Sequence, residues 1–387
     1  MDPIQLAAVL AVVVFLASIL SVELGITVAL IELTLGVVAG NLFHLESAEW
    51  LDFIAAFASI VLTFLAGMEV DPEYMRRRLT ASVGIGVVSF AGPFVVASGV
   101  AALLLGWDTR AALIAGTALS TTSLAVVYAV LVERGLTDIG VGKLLMSATF
   151  VTDLCTAVAL SAIFVKPNLW FPVYLAVSLA LVLALPRISP WFFGRYGNRV
   201  IEPEIKLIFL SLLVLMVVAE LAHGHAVLPA FVLGLVMSRH FARHREEQKR
   251  MRVVAFAFLT PFFFVKGGLN VSLGAVAANL GLLGALVLAK MVPKVGFVYP
   301  LARRADRRHA TFTTLLMSTG LTFGTISSLY GLNAGIIDGT QFSLLVTVVV
   351  LSAVVPTVVA ERWFLPDAER ERRVDRRLAA QRSEEYV

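Results

Sequence analysis

Charged residues are scarce in this sequence, and cysteine is almost missing. Asp, Glu, Lys and Arg make up 15% of the 387 residues, whereas soluble domains average about a quarter. Cys155 is the single cysteine, which excludes an intrachain disulfide. No glycine-rich nucleotide fingerprint follows a strand, and the ten-residue alternation of a membrane β-barrel is absent. We expect no nucleotide-binding domain in this chain and no nucleic-acid partner, because its formal charge of +4 is explained by membrane topology.

Apolar residues form 59% of the chain, with a mean hydropathy of +0.89. Apolar runs of about 17–25 residues predict helices, because a helix satisfies its own backbone polar groups in lipid. We therefore predict an all-α polytopic membrane protein that contacts the lipid bilayer. The first run has no basic region and no cleavage site, so it is a retained helix and not a signal peptide. The thirteen predicted transmembrane helices are 4–22, 24–43, 50–69, 81–105, 109–132, 139–165, 168–186, 205–222, 226–239, 253–267, 272–302, 310–332 and 340–362.

Basic residues predict the orientation of these helices. With the N-terminus outside, all but five of the 31 Lys and Arg fall on one side, and the positive-inside rule makes that side cytoplasmic. We expect a multi-pass protein of the inner (cytoplasmic) membrane with a cytoplasmic C-terminus. The charged tail 366–387 is predicted to be a solvated cytoplasmic anchor. The five exceptions are Arg110, Lys166, Lys266, Lys290 and Lys294.

One carboxylate, Asp153, lies near the middle of the apolar run 139–165. An ionised Asp at that depth costs at least ~3 kcal/mol, so such residues usually mark an ion, proton or substrate site. The alternative is a carboxylate paired with a lysine of a neighbouring helix for assembly alone.

An internal repeat divides the chain. TLGVVAG from Thr34 resembles VLGLVMS from Val232, FLAGMEV resembles FVKGGLN, and STTSL resembles STGLT, each pair 198 to 200 residues apart. Equivalent helices run in opposite directions in our topology, as in the inverted repeats of secondary transporters. The predicted divisions are a first repeat at 1–165, a linker helix and loop at 166–204, a second repeat at 205–365, and the tail.

The third repeated pair places hydroxyls and glycines in the middle of two apolar helices. These stretches predict interrupted helices, whose freed carbonyls and half-helix ends coordinate a cation or offset a charge. Small-residue packing with hydroxyls bonded back to their own helix is the alternative. The hydroxyl residues are Ser120, Thr121, Thr122, Ser318, Thr319 and Thr322.

Three other charges lie at membrane depth. Lys290 and Lys294 are one turn apart on one helix face, and either snorkels to the basic end at Arg303 or faces Asp153 and holds the empty site neutral. Glu32 is also deep, where a functional role and a structural hydrogen bond are both open.

Together these segments resemble the monovalent cation:proton antiporters of the Kef and NapA type, within the second cation:proton antiporter superfamily. The similarity covers nearly all of residues 5 to 362. It implies a homodimer, a dimerisation domain, a core domain with two crossed interrupted helices, and elevator-like alternating access. It also implies Asp153 as the ion-binding carboxylate and Lys294, not Lys290, as the membrane lysine. The segments that carry it are IELTLGVVAG, FLAGMEV, GTALSTTSLAV, the Asp153 helix, AVLPAFVLGLVMS and LTPFFFVKGGLNVSL.

Two positions depart from that family. Its members carry Asp-Asp, Asn-Asp or Gln-Asp on the central helix, where this chain has Thr152 and Asp153. A charged Arg-Gly-Glu segment of some members is replaced here by residues 320–322, Gly-Leu-Thr. Both changes leave stoichiometry and ion choice open.

We predict a Na⁺ or K⁺/H⁺ antiporter in which proton and cation compete for Asp153. No cofactor is expected besides the transported ions. If Lys294 stays charged, one proton exchanges for one cation and transport is electroneutral, which we favour. If Lys294 also titrates, the cycle is electrogenic. Oxygen ligands suit a hard alkali cation, and the candidates are Thr152, Ser120, Thr121, Thr122 and backbone carbonyls.

Three other functions remain as alternatives. A sodium-coupled organic-anion symporter can share the inverted-repeat architecture, and a cation channel would conduct far faster than a transporter. An intramembrane protease would need a second catalytic aspartate or a Ser-His pair, and Asp153 is the only Asp at mid-membrane depth. The protein is therefore expected not to be an enzyme.

Overall fold

The structure is a computed structural model that describes residues 3–24, 28–45, 47–68, 79–137, 139–164, 168–197, 199–222, 224 and 226–367. Within these ranges the regular structure is entirely helical. The helices are α1 Pro3–Leu24, α2 Val28–Phe43, α3 Glu49–Met68, α4 Leu79–Gly99, α5 Thr109–Ser120, α6 Leu124–Glu133, α7 Gly140–Phe164, α8 Phe171–Tyr196, α9 Pro203–Leu221, α10 Val227–Arg243, α11 Arg245–Val254, α12 Thr260–Leu269, α13 Leu273–Ala278, α14 Leu280–Pro293, α15 Tyr299–Ala305, α16 Ala310–Met317, α17 Thr322–Asn333 and α18 Gly339–Trp363.

These helices form thirteen runs in the described chain, as predicted. Four runs contain more than one helix: α5 with α6, α11 with α12, α13 with α14 and α15, and α16 with α17. Eight described spans are long and apolar enough to cross a membrane by length and composition. The prediction of an all-α polytopic membrane protein is therefore confirmed.

Two predicted helix ends were wrong, and one predicted helix is not continuous. The helix predicted to end at residue 186 continues as α8 to Tyr196, with Pro186 and Pro190 inside it. The helix predicted to start at residue 253 begins at Arg245. These two ends were placed beside a proline and a charged residue, both of which membrane helices accommodate. The predicted helix 272–302 is interrupted at Asn279.

The chain forms two compact units that alternate along the sequence. Unit 1 consists of residues 1–72, 154–279 and 325–343, and unit 2 consists of residues 73–153, 280–324 and 344–387. The two units do not correspond to the two predicted repeats, whose boundaries stay a prediction. Residues 368–387 of the predicted tail, together with Lys166, lie outside the described residues.

In unit 1, α3 and α10 approach so closely that each places a glycine against the backbone of the other. A Cβ atom added at Gly67 would overlap the carbonyl oxygen of Phe231, and one added at Gly234 would overlap the carbonyl oxygen of Phe64. Glycines at membrane helix interfaces allow this separation because they have no side chain.

The contact between α2 and α12, also in unit 1, has the same design. A Cβ atom at Gly36 would overlap the carbonyl oxygen of Val265, and one at Gly268 would overlap that of Leu33. Gly36 and Leu33 lie 198 residues before Gly234 and Phe231, the offset of the first repeated segment. The glycines on the other two helices, Gly67 and Gly268, are 201 residues apart, one more than the predicted offset of 200. The repeat therefore stays a prediction.

Unit 2 has an apolar core in addition to its buried polar residues. Leu131, Leu145, Val298 and Leu316 are fully or almost fully buried in one cluster with Ala360. These residues come from five of the helical runs of unit 2, and they fix the helices that carry the candidate site.

Three π-helical turns interrupt the α-helical hydrogen bonding. One extends α4 over Val100–Leu104, one joins α11 to α12 over Ala255–Leu259, and one joins α14 to α15 over Lys294–Val298. The second and third each end two residues before a proline, Pro261 and Pro300. Proline has no N–H to donate to the preceding turn, so the helix changes its hydrogen bonding just before these residues.

Candidate functional site

Two helical runs of unit 2 are broken where the sequence predicts it. α5 ends at Ser120 and α6 begins at Leu124, while α16 ends at Met317 and α17 begins at Thr322. The residues between are extended or irregular; Thr121, for example, has φ −63° and ψ 154°. The predicted interruption of both helices is confirmed.

The two breaks contact each other. The backbone N–H of Ser123 donates to the carbonyl oxygen of Thr319 at 3.1 Å. The Thr122 hydroxyl donates to the carbonyl oxygen of Met317 at 2.8 Å. Each break thus provides hydrogen-bond partners for the other, and the prediction that the interrupted helices cross is confirmed.

Four of the predicted hydroxyls return to the ends of their own half-helices. Such bonds occupy carbonyls that an interrupted helix leaves free. The donor hydrogens are therefore used, while each hydroxyl oxygen keeps lone pairs for a further donor or a cation. The bonds run from Ser120 to Thr117 O at 2.9 Å, Thr121 to Ala118 O at 3.1 Å, Ser318 to Thr314 O at 2.7 Å, and Thr319 to Leu316 O at 2.7 Å.

Lys294 connects α4 to the first break. Its ammonium group donates to the Ser89 hydroxyl at 2.7 Å and to the Thr122 hydroxyl at 3.0 Å, and its side chain is completely buried. Because Thr122 in turn donates to Met317 O, the lysine is connected through one hydroxyl to the C-terminal end of α16. The C-terminal end of a helix carries partial negative charge, which favours a cation.

Lys290 lies one turn earlier and faces the second break. Its Nζ atom would overlap a Cβ atom added at Gly320, and that Cβ would lie 3.1 Å from Thr121 Oγ1 and 3.4 Å from Ser352 Oγ. The side chain is completely buried, and its Nζ has no hydrogen-bond partner among the described residues. Gly320, which has no side chain, thus leaves room for this ammonium group.

Asp153 is 1% exposed on α7 and belongs to the same unit as both lysines. It interacts electrostatically with Lys294, as does Lys290. The preceding residue, Thr152, donates its hydroxyl to Gly86 O and Ala148 O, both at 3.1 Å. Thr152 therefore fixes α7 against α4 directly beside the carboxylate.

Two other predicted site residues, and Lys266, differ from these in burial or in the unit to which they belong. Thr322 is the first residue of α17 and is only partly buried. Glu32 is buried in α2, within unit 1, while the residues above belong to unit 2. Lys266, in unit 1, forms an ion pair with Asp52 at 2.6 Å.

Sequence reasoning missed two hydroxyl residues of the site, Ser89 and Ser352. Ser89 accepts from Lys294, and Ser352 donates to Gly320 O at 3.5 Å and to Val349 O at 2.8 Å. A single serine in an apolar helix is ordinary, because its hydroxyl can bond its own backbone. The nearest signal was the sequence around Ser89, which has glycines at 84, 86 and 92 and Pro93.

Comparison with known proteins gives consistent results. A family model described as "Sodium/hydrogen exchanger, transmembrane" matches residues 9–364. The "Probable Na(+)/H(+) antiporter 3" of Methanocaldococcus jannaschii is 25% identical over 353 residues, which cover 85% of this chain and 88% of that protein. The "Na(+)/H(+)-K(+) antiporter GerN" of Bacillus cereus is 23% identical over 369 residues, or 90% of this chain and 93% of that protein.

A solved structure shares the fold. The sodium proton antiporter MjNhaP1 from Methanocaldococcus jannaschii, at pH 8, superposes with a TM-score of 0.68 at 12% identity, covering 93% of this chain and 97% of that one. This match is with an NhaP1 antiporter, a different branch from the Kef and NapA type. The broader prediction, a cation:proton antiporter fold, is confirmed.

Proposed function

The chain belongs to the sodium/hydrogen exchanger family, and from that premise we propose that it exchanges Na⁺ or K⁺ for H⁺ at Asp153. The protein is a membrane-embedded antiporter and not an enzyme. The observation that carries the proposed site is the burial of Asp153 in the unit where two interrupted helices cross and where Lys294 interacts with its charge.

Proton and cation compete for the Asp153 carboxylate. Burial makes the ionised carboxylate expensive, so it requires a bound proton, a bound cation or a neighbouring positive charge. If the site changes sides of the membrane only when Asp153 holds a proton or a cation, transport of one ion in one direction requires transport of the other ion in the opposite direction.

Lys294 supplies the neighbouring positive charge when the site is empty. Two hydroxyl acceptors, Ser89 and Thr122, hold its ammonium group at 2.7 and 3.0 Å, and hydrogen bonds to the charged form favour that form. A lysine that stays charged leaves Asp153 as the single titrating group. The exchange is then one proton per monovalent cation and electroneutral.

The hydroxyl oxygens of the first break and of Thr152, in the same unit as Asp153, suit an alkali cation. Thr121, Thr122 and Thr152 have hydroxyl oxygens with lone pairs after donating their hydrogens, and Ser120 lies in the same unit. Hard monovalent cations prefer such oxygen ligands. The relatives include one named for Na⁺ and one named for both Na⁺ and K⁺, which supports either ion here.

We also propose a homodimer in the inner membrane, with the N-terminus outside and the C-terminus cytoplasmic. The distribution of basic residues supports this orientation. Alternating access is proposed to be of the elevator type, in which the unit that contains Asp153 carries the ion.

The decisive experiment measures proton flux in proteoliposomes with an imposed pH gradient. Addition of Na⁺ or K⁺ should dissipate the gradient with the wild-type protein, and the comparison of salts identifies the ion. Asp153→Asn should abolish this flux, because the amide neither takes up a proton in the accessible pH range nor provides a negative charge. An electroneutral exchanger should generate no membrane potential.

Asp108→Asn is the matched control. Asp108 accepts from the N–H groups of Arg110 and Ala111 at the start of α5, and Asn is an equally good N-terminal cap. This control should retain wild-type exchange. Full activity of Asp153→Asn would reject Asp153 as the exchange site, and absence of exchange with any alkali cation in the wild type would reject the proposed reaction.

A further inference from the structure

Two histidines and a glutamate converge where α10 meets α11. The ligand atoms of His240, His244 and Glu247 all lie within 4.8 Å of one another. His240 Nε2 lies 3.2 Å from Glu247 Oε2, and the two imidazole rings stack with centroids 4.4 Å apart. All three residues belong to unit 1, and the proposed exchange at Asp153 uses none of them.

The hydrogen bond of His244 defines its tautomer. Its Nδ1 contacts the carbonyl oxygen of His240 at 3.0 Å, and a carbonyl only accepts, so Nδ1 carries the hydrogen. In the neutral ring Nε2 then has the lone pair that a metal requires. Metal-binding histidines commonly donate their other N–H to a carbonyl in this way, which fixes the ring.

His240 and Glu247 are also held in place. The His240 ring packs edge-on against Phe193, with centroids 5.0 Å apart, and the side chains of His240 and Glu247 are each only 10% exposed. The nearby cation Arg250 pairs with Glu202 at 3.3 Å and with Glu204 at 3.4 Å. It therefore has its own carboxylates and does not require that of Glu247.

From this geometry we propose that His240, His244 and Glu247 bind a divalent transition metal of the Zn²⁺ class. Two imidazoles and one carboxylate are a usual three-ligand set for zinc, with water in the fourth position. Nitrogen ligands favour such metals over the hard alkali cations of the transport reaction. Bond lengths of about 2.0–2.2 Å require the side chains to close in by on the order of 1 Å. The ion replaces the proton shared by His240 and Glu247 and joins α10 to the first turn of α11.

Zinc titration of the full-length detergent-purified protein tests this site. The protein should carry an affinity tag without histidines, and calorimetry should report one Zn²⁺ per chain. Co²⁺ at the same site should show the visible absorption of a tetrahedral nitrogen and oxygen environment. His244→Ala and Glu247→Gln should each weaken binding ~10-fold or more. Zn²⁺ should raise the unfolding temperature of the wild type but not that of these two variants.

His44→Asn provides the matched control. His44 is exposed and has φ 49°, a conformation that Asn tolerates well. This variant should bind zinc as the wild type does. Glu247→Gln keeps the size of the side chain and a hydrogen bond to His240, so metal-free unfolding at the wild-type temperature identifies a folded variant. Stoichiometric binding that is unchanged in His244→Ala, or no binding to the wild type, overturns the proposal.

Discussion

Both compact units have glycine contacts between helices, and unit 2 adds polar contacts around the candidate site. In unit 2, a Cβ atom added at Gly86 would overlap the carbonyl oxygen of Ala148, and one added at Gly116 would overlap that of Phe94. In unit 1, glycines of α3 and α10, and of α2 and α12, lie directly against carbonyl groups of the facing helix. In unit 2, the helices around the site are connected by hydroxyl groups and by the buried ammonium group of Lys294. The first kind of contact needs a fixed separation of backbones, and the second needs polar atoms in a fixed arrangement.

The two kinds of contact affect different properties: the glycine contacts affect the stability of the protein, and the polar contacts affect ion exchange. A glycine against a carbonyl leaves no room for an ion, but it gives extensive van der Waals contact between membrane helices. Hydroxyls and a lysine are costly to bury, yet they accommodate a charge that comes and goes at Asp153. We therefore expect substitutions at the glycine contacts to affect folding and substitutions at the polar contacts of unit 2 to affect exchange.

The largest effect should come from Gly234→Ala in unit 1. The new methyl group overlaps the Phe64 carbonyl, which is backbone and cannot rotate away, so the helices must separate at a cost of ~1–3 kcal/mol or more. The unfolding temperature in detergent and the yield of folded protein should both fall.

Gly284→Ala is the control for this substitution, since an added Cβ there has no atom within 4 Å. Alanine also favours a helix over glycine by up to ~1 kcal/mol, so the unfolding temperature should stay or rise. Equal stability of the two variants would contradict the proposed role of the glycine contacts.

An intermediate effect, on exchange and not on stability, should follow Lys294→Met. Loss of the positive charge leaves ionised Asp153 without compensation at a cost of a few kcal/mol. Since ~1.4 kcal/mol is a factor of ten in rate, exchange in proteoliposomes should slow by at least ~10-fold. The unfolding temperature should change little, because a buried carboxylate that loses its partner takes up a proton instead of staying charged.

Lys290→Met, one turn away on the same helix, should have the opposite effects: a change in stability and little change in exchange. The Lys290 ammonium has no hydrogen-bond partner among the described residues, so its replacement should raise the unfolding temperature and leave most of the exchange activity. If exchange depended on Lys290 and not on Lys294, Lys290 would be the residue that compensates the charge of Asp153, which would contradict our assignment.

The smallest effect should follow Gly320→Ala. The added methyl group meets the end of the flexible Lys290 side chain and not a backbone atom, so the lysine can move aside. Unfolding should shift by less than ~1 kcal/mol, well below the shift for Gly234→Ala, as measured by thermal unfolding of both variants. A loss of stability as large as that of Gly234→Ala would show that the Lys290 position is rigid.

The sequence predicted the parts of the site whose residues are unusual for their surroundings. Asp153 and Lys294 are charges at membrane depth, and the STTS and STGLT stretches place hydroxyls and glycine where apolar residues are expected. Burial of each such residue costs free energy, so its presence at membrane depth indicates a function. Ser89 gave no such indication, because the hydroxyl of a single serine in a membrane helix can bond to its own helix backbone.

Helix ends were predicted less well than helix centres. Arg187 is in α8, which continues to Tyr196, because a basic side chain reaches water without ending its helix. The close contacts of Gly67 and Gly234 also required the structure, since the sequence shows two glycines but not which backbones they face. The hydroxyl bonds back to half-helix ends, such as that of Ser318, likewise depend on where the helix breaks.

The π-helical turn at Lys294–Val298 has a consequence for how this helix tolerates changes in length. A π-turn contains one residue more than the α-helical turn that it replaces. In a regular α-helix, removal of one residue turns everything beyond it by about 100°. Removal of one residue within 294–298 would instead take away the extra residue of the π-turn, so the arginines of α15 would keep their direction relative to Lys290. In this segment the helix can therefore lose one residue without turning the part beyond it.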